Sequence, residues 1–135
     1  MKYYRLLLLT SLLLLGCSNG PTPAQRELVD RLIQEQIDIP YQEPNWTNAA
    51  KEMLLKNGET AKEATARTKK QYTDIHNYLI TLKSKPYKDK KVWAINMLEP
   101  TIELWEATLN ASKQADKELI LQLEQRKKWL AILKK

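Results

Sequence analysis

The sequence predicts an all-α protein: an antiparallel bundle of three or four helices with one long C-terminal helix, behind an N-terminal segment that is cleaved off. Two observations support this fold class. Apolar residues recur at steps of three and four over most of the chain, and no segment alternates with the two-residue period of a half-buried strand. The 135 residues include only three glycines and suit a single domain with one core.

The first sixteen residues have the layout of a secretory signal peptide. Lys2 and Arg5 supply a positive start, and residues 6–15 form an uninterrupted run of ten apolar or small residues. As a helix this run is about 15 Å long, half of the roughly 30 Å hydrocarbon core, so it is too short to remain as a membrane span. We therefore predict a signal peptide over 1–16, a flexible tether over 17–23 and a helical bundle domain over 24–135.

Cys17 is the only cysteine, and it follows the apolar run in the sequence Leu14-Leu15-Gly16-Cys17. These four residues resemble the bacterial lipobox. The resemblance implies that the Cys17 sulfur becomes a diacylglyceryl thioether, that the chain is cut before Cys17 and that the new amino terminus is acylated. Two or three acyl chains would hold the protein at a membrane, since each buried methylene contributes about 0.8 kcal/mol. Ser18 in place of Asp implies the outer membrane, facing the periplasm, if the host is Gram-negative.

The first predicted helix spans Ala24 to Asp38. Thr22 is a candidate N-cap with Pro23 in the first turn, and the helix should end before Pro40. Its apolar residues share one face: Leu28, Leu32, Ile33 and Ile37. A loop follows, and then a short second helix from Trp46, which Asn57-Gly58 is suited to close because glycine tolerates the left-handed conformation.

The third predicted helix spans Ala61 to Leu82 and begins at a capping box formed by Thr60 and Glu63. After Pro86 the periodic pattern resumes near Asp89 and continues to Leu133, which predicts one long helix with the seam of a bundle or coiled coil. Pro100 is expected to kink or restart it. Three polar residues interrupt the seam: Ser112, Asp116 and Arg126.

The formal net charge is +6, and removal of Lys2 and Arg5 leaves 20 basic against 16 acidic residues. Nucleic-acid binding is disfavoured because the charges are spread along helical faces, without Gly-Arg tracts or zinc-ligand spacing. Five lysines surround Pro86 with only Asp89 to oppose them: Lys83, Lys85, Lys88, Lys90 and Lys91. We expect an exposed turn between antiparallel helices, which is either a contact for anionic phospholipid, lipopolysaccharide or peptidoglycan carboxylates, or simply a solvated turn.

No catalytic, cofactor or metal site is predicted. His76 is the only histidine, and no nucleophile or Gly-rich turn accompanies it. Three carboxylates share a helix face, but no Glu-x-x-His motif accompanies them, so a solvated acidic stripe is expected: Glu99, Glu103 and Glu106. Haem ligation by Met53, Met97 or His76 is disfavoured because there is no Cys-x-x-Cys-His motif.

The leading functional hypothesis is a non-enzymatic envelope lipoprotein that serves as a binding or structural module. The alternatives are a carrier of a small ligand or cofactor in the periplasm, and an accessory factor of a secretion, lysis or conjugation system; no motif of the body matches a family of these.

The predicted third helix spans about 33 Å and the apolar seam of the last about 53 Å, so their lengths differ. Either the first two helices cover the remainder, or its end stays partly exposed. In the second case the exposed leucines would bind an envelope protein or a second copy: Leu119, Leu123, Leu130 and Leu133.

Overall fold

The computed structural model of the protein describes residues 20–114 and 116–135. Within these residues the chain is all-helical, with five α-helices and no strand, which confirms the predicted all-α class. The helices are α1 (Pro23–Ile37), α2 (Asn48–Leu54), α3 (Ala61–Lys83), α4 (Tyr87–Ala111) and α5 (Lys117–Lys134). None of the described helices combines the length and the apolar character that a membrane crossing requires. The predicted signal peptide and Cys17 lie outside the described residues.

Two helices begin at reciprocal capping boxes. In α1 the backbone amide of Gln25 donates to Thr22 Oγ1 at 3.2 Å, and the backbone amide of Thr22 donates to the side-chain oxygen Oε1 of Gln25 at 2.9 Å. In α3 the Glu63 amide donates to Thr60 Oγ1 at 3.2 Å, and the Thr60 amide donates to Glu63 Oε2 at 2.8 Å. These bonds satisfy backbone donors that a helix start leaves unpaired. The predicted starts of both helices are therefore confirmed to within one residue.

The short second helix is present, but it ends earlier than the Asn57-Gly58 turn. Its last residue is Leu54, and Leu55 is already extended, with a ψ of 130°. Gly58 does adopt a left-handed conformation, with a φ of 77°. Its conformation therefore shapes the turn that leads into α3 and does not close α2.

The predicted single long C-terminal helix is wrong, because α4 ends at Ala111 and α5 begins at Lys117. Ser112 Oγ donates to the Gln114 carbonyl at 2.8 Å, and Asp116 Oδ1 accepts from the Leu119 amide at 3.2 Å. Such bonds between a short polar side chain and nearby backbone compete with helix continuation and favour a new N-cap. Two of the residues that were predicted to interrupt the seam thus end one helix and start the next.

Pro100 lies inside α4 and does not end it. Proline has no amide hydrogen, so the carbonyl of Asn96 loses its usual helical donor. Asn96 is an exposed residue, so this carbonyl lies on the side of the helix that faces water. The loss of one backbone hydrogen bond is therefore tolerated within a helix of 25 residues.

The core is organised around α1. One cluster of buried residues joins α1, α4 and α5: Leu28, Val29, Leu32, Ala94, Leu98, Ile102, Leu123 and Leu133. A second cluster joins α1 to α3 through Ile33, Leu79 and Leu82. Trp93 packs against both clusters, so the two parts of the core are connected.

Candidate functional site

The five lysines lie at the end of α3, in the turn that follows it and at the start of α4, and this part of the chain runs beside α1. Its lysines are not equivalent, because Lys83, Lys85 and Lys88 are exposed whereas Lys90 and Lys91 are half-buried. Lys90 Nζ donates to Asp30 Oδ1 at 2.8 Å, and Lys83 Nζ donates to Gln34 Oε1 at 2.6 Å. Asp30 therefore balances the charge of Lys90, while the other four lysines form no ion pair with a described residue.

Arg26 brings a further cation to this turn, and sequence reasoning missed it. Its guanidinium carbon lies 5.8 Å from the centre of the Tyr87 ring. A cavity of about 190 Å³ separates the start of α1 from the start of α4, and Arg26, Asp30, Lys85 and Tyr87 line it. The Tyr87 hydroxyl is buried without a hydrogen-bond partner among the described residues, and this burial raises the pKa of Tyr87. Three helices thus meet at a positively charged end of the fold.

The apolar stripe of the last helix does not form a continuous exposed surface. Leu123 and Leu133 are only 6% and 0% exposed and belong to the main core, and Leu119 and Leu130 are half-buried. The expected exposure is therefore wrong for Leu123 and Leu133. The reason is the break after Ala111, since α5 is a separate helix whose buried leucines pack with residues of α1 and α4.

Two exposed ion pairs and one hydrogen bond also connect α5 to its neighbours, beside the apolar core that holds it. Lys127 pairs with Glu106, and Lys134 pairs with Glu99. Gln25 Nε2 of α1 donates to the Ile132 carbonyl at 2.9 Å. Two of the three glutamates expected to form a solvated stripe therefore bind the neighbouring helix, and only Glu103 is fully exposed.

Arg126 lies in an aromatic cluster that joins α4 to α5. Its guanidinium carbon is 4.2 Å from the centre of the Trp105 ring and 5.8 Å from that of Trp129. Arg31 of α1 contacts the same Trp129 ring, at 5.1 Å. Burial lowers the pKa of Arg126, and the nearby Glu35 opposes this shift. Glu35, Arg126 and Trp129 line a small cavity of about 140 Å³.

The remaining candidates for chemistry stand apart from one another. His76 is half-buried and stacks on Tyr72, with ring centres 5.8 Å apart. Met53 is 83% exposed on α2, whereas Met97 packs against the main core. Across residues 20–114 and 116–135, no three side chains of the metal-binding types come together.

A polar contact between α2 and α3 is the other feature that the sequence did not indicate. Arg67 Nε donates to Glu59 Oε1 at 2.8 Å, and Arg67 also donates to the Leu54 carbonyl at 2.8 Å. The hydrogen bond from Arg67 holds the pKa of Glu59 at about 2, well below its ordinary value. Arg67 thereby ties the end of α2 and the turn after it to the first half of α3.

Comparison with known proteins does not assign this chain to a family. No family model matches it, and neither the characterised proteins nor the solved structures contain a significant match. Its function is therefore inferred from its own residues and their geometry.

Proposed function

We propose that this chain is a bacterial envelope lipoprotein, anchored through lipid on Cys17, whose helical body is a non-enzymatic binding or structural module. One observation carries the proposal: Leu14-Leu15-Gly16-Cys17 stands directly behind a run of ten apolar or small residues. The position of α1 supports it, because this helix begins at Pro23, six residues after the cysteine. Lipid and folded body would then be joined by a short tether.

We infer that α1, α3, α4 and α5 form an antiparallel bundle. The pairs Lys127–Glu106 and Lys134–Glu99 support opposite directions for α4 and α5, since residue numbers rise along one helix as they fall along the other. The same reasoning applies to α3 and α1. Tyr72 OH contacts the Ile39 carbonyl, two residues after the end of α1, and Lys83 contacts Gln34 within α1.

The directions of α1 and α4 complete this arrangement. Arg26 contacts Tyr87, and Asp30 binds Lys90, so residue numbers rise together along the two helices. The helices α1 and α4 therefore run in one direction, and α3 and α5 run in the other. A bundle of this kind has two distinct ends, and the tether leaves from the end at which α1 begins.

The polar side chains that the sequence offers for chemistry have structural partners, which supports a non-enzymatic role. His76 stacks on Tyr72, and Glu99 and Glu106 hold α5. The observation that favours a carrier of a small ligand is a groove of about 380 Å³ between α1 and α5, which falls at the lower end of the range of roughly 300 to 1,000 Å³ that is usual for ligand sites. Exposed charged side chains of both helices border this groove, whereas ligand sites are mostly apolar and enclosed, so a binding or structural module is the better proposal.

The location that we propose is the cell envelope, and in a Gram-negative host the periplasmic face of the outer membrane. It rests on Ser18, which stands after the cysteine in place of the aspartate that marks retention in the inner membrane. An accessory role in a secretion, lysis or conjugation system is compatible with this location. The genes next to the gene for this chain would distinguish among these three systems.

Lipidation is tested by growing cells with a clickable palmitate analogue. The wild-type chain should be labelled and should sediment with membranes, whereas Cys17→Ser should lose the label, because the thioether requires the cysteine sulfur. Ser18→Ala is the matched control and should keep the label. Equal labelling of wild type and Cys17→Ser would overturn the proposal.

A further inference from the structure

We propose that the end of the bundle at which α1 begins docks on anionic phospholipid. We call this surface the basic end and define it by Arg26, Lys85, Lys88 and Lys91. The proposal rests on the lipid anchor for its place in the cell, and it adds an orientation of the body and the chemistry of the surface that it faces.

The four cations converge from three parts of the fold. Arg26 lies in the first turns of α1 and lines one cavity together with Lys85, which belongs to the turn between α3 and α4. Lys88 and Lys91 lie in the first two turns of α4. Lys91 stands seven residues, about two helical turns, before the buried Leu98. It therefore lies on the same face of α4 as the core residues, at the end of the helix that meets the basic end.

Few acidic groups oppose this charge. Asp30 is bound to Lys90, and the exposed acids nearby are Glu27 and Asp89. The last turn of α5 reaches the same end, because Gln25 binds the Ile132 carbonyl, and Lys135 follows it. The basic end therefore carries a positive excess, which complements an anionic surface.

The length of the tether places this end close to the lipid. Pro23, the first residue of α1, is six residues after Cys17. Six residues of fully extended chain span at most about 22 Å. A lipid on Cys17 therefore keeps the beginning of α1 within about 22 Å of the headgroups, and a tether of this length lets the basic end come within the roughly 8 Å over which charges interact at physiological ionic strength. This short reach favours phospholipid headgroups over the cell wall as the partner.

The length of α4 determines which part of the body would lie far from the membrane. Its 25 residues extend about 36 Å from the basic end. The turn between α4 and α5 would therefore face away from the membrane, where other envelope proteins can reach it.

Docking is tested with residues 17–135 carrying Cys17→Ser, which retain every described residue but have no lipid. This chain should co-sediment with vesicles containing one third phosphatidylglycerol and not with pure phosphatidylcholine. Each cation near the surface strengthens binding about fivefold, so Lys85→Gln with Lys88→Gln should reduce partitioning about thirtyfold. Lys113→Gln with Lys117→Gln removes the same charge at the opposite end of α4 and should change partitioning little.

Three outcomes would overturn the proposal. One is equal binding to neutral and anionic vesicles, and another is an equal loss from the two pairs of substitutions. The third is binding to isolated peptidoglycan in place of vesicles, which would make the cell wall the partner. Because this assay contains no lipidated protein, its result is independent of the labelling experiment, and the two proposals can fail separately.

Discussion

The two halves of α3 are stabilised by different kinds of contact. The second half packs large aliphatic side chains against α1, with Leu79 and Leu82 both 4% exposed. In the first half, Ala64 is the only buried apolar residue. Polar contacts take the place of a core there, and one of them, the Glu59–Arg67 pair, depends on the ionisation of its partners.

Hydrogen bonds connect the first half of α3 to the chain before it. Trp46 Nε1 donates to Thr65 Oγ1 at 2.8 Å, and Tyr41 OH lies 3.2 Å from Thr68 Oγ1. A hydrogen bond contributes roughly 1 kcal/mol net, whereas full burial of a Leu side chain contributes about 2 to 3 kcal/mol. We therefore expect the stability of the protein to be concentrated around α1, and residues 38–60 to open more easily than the core.

The largest effect is expected from a charge placed in the core that joins α1, α4 and α5. Leu123→Asp puts a carboxylate at a position that is only 6% exposed, and it should lower the free energy of unfolding by about 4 kcal/mol. Leu121→Asp is the matched control on the same helix, because Leu121 is 62% exposed, and it should change stability by less than about 0.5 kcal/mol. Urea unfolding followed by circular dichroism measures both.

The comparison of these two variants also tests the corrected place of α5. If Leu123→Asp kept its stability and instead dispersed a dimer, then Leu123 would lie at an interface between copies. Loss of cooperative unfolding without any change in assembly places it in the core of the monomer.

Short sequence motifs predicted where helices begin, but the apolar spacing did not predict where the last helix breaks in two. Thr60 and Glu63 are three residues apart and bind each other's backbone, so their effect is visible in the sequence alone. The break after Ala111 was missed because apolar spacing reports which face of a helix is buried and not the direction in which the chain runs. Two helices that turn back on each other can keep the same spacing. Asp116 before Lys117-Glu118 was the available signal, since Asp is a preferred N-cap.

The basic end could be predicted only in part. The five lysines around Pro86 are close in sequence, so their clustering needs no tertiary information. Arg26 is about sixty residues from that turn and joins it only because α1 and α4 run side by side. The contact of Arg126 with Trp105 was hidden for the same reason, because it joins two separate helices, α4 and α5.

On acidification, the polar contacts between the first half of α3 and the chain before it should open at a higher pH than the apolar core. The contribution of the Glu59–Arg67 pair is complete above the ordinary Glu pKa of 4.5, because the folded pKa of Glu59 is lowered to about 2, and it is lost as pH falls between these values. The indole N–H signal of Trp46 in the NMR spectrum should therefore move toward that of a free indole over this range, while that of Trp93 does not. Glu59→Gln should weaken the contact at neutral pH and remove its dependence on pH. A Trp46 signal that stays unchanged down to about pH 2 would contradict this account.

The smallest effect on stability is expected from substitution of Arg126, a charged residue that packs on aromatic side chains. Its guanidinium packs on Trp105 and Trp129, and a cation over an aromatic ring contributes about 1 kcal/mol when it is partly exposed to water. Arg126→Gln should therefore lower the free energy of unfolding by about 1 kcal/mol, with the urea dependence unchanged, and it should alter the emission of the tryptophans.

Arg126→Lys separates charge from stacking, since an ammonium group cannot lie flat on an indole as a guanidinium does. If the planar contact matters, Lys should recover only part of the loss. Arg31→Gln, which contacts Trp129 alone, should cost less than Arg126→Gln. Equal stability of wild type and Arg126→Gln would mean that the cost of burying this cation cancels what it gains from the rings, so that the apolar cluster alone would hold α5 against α4.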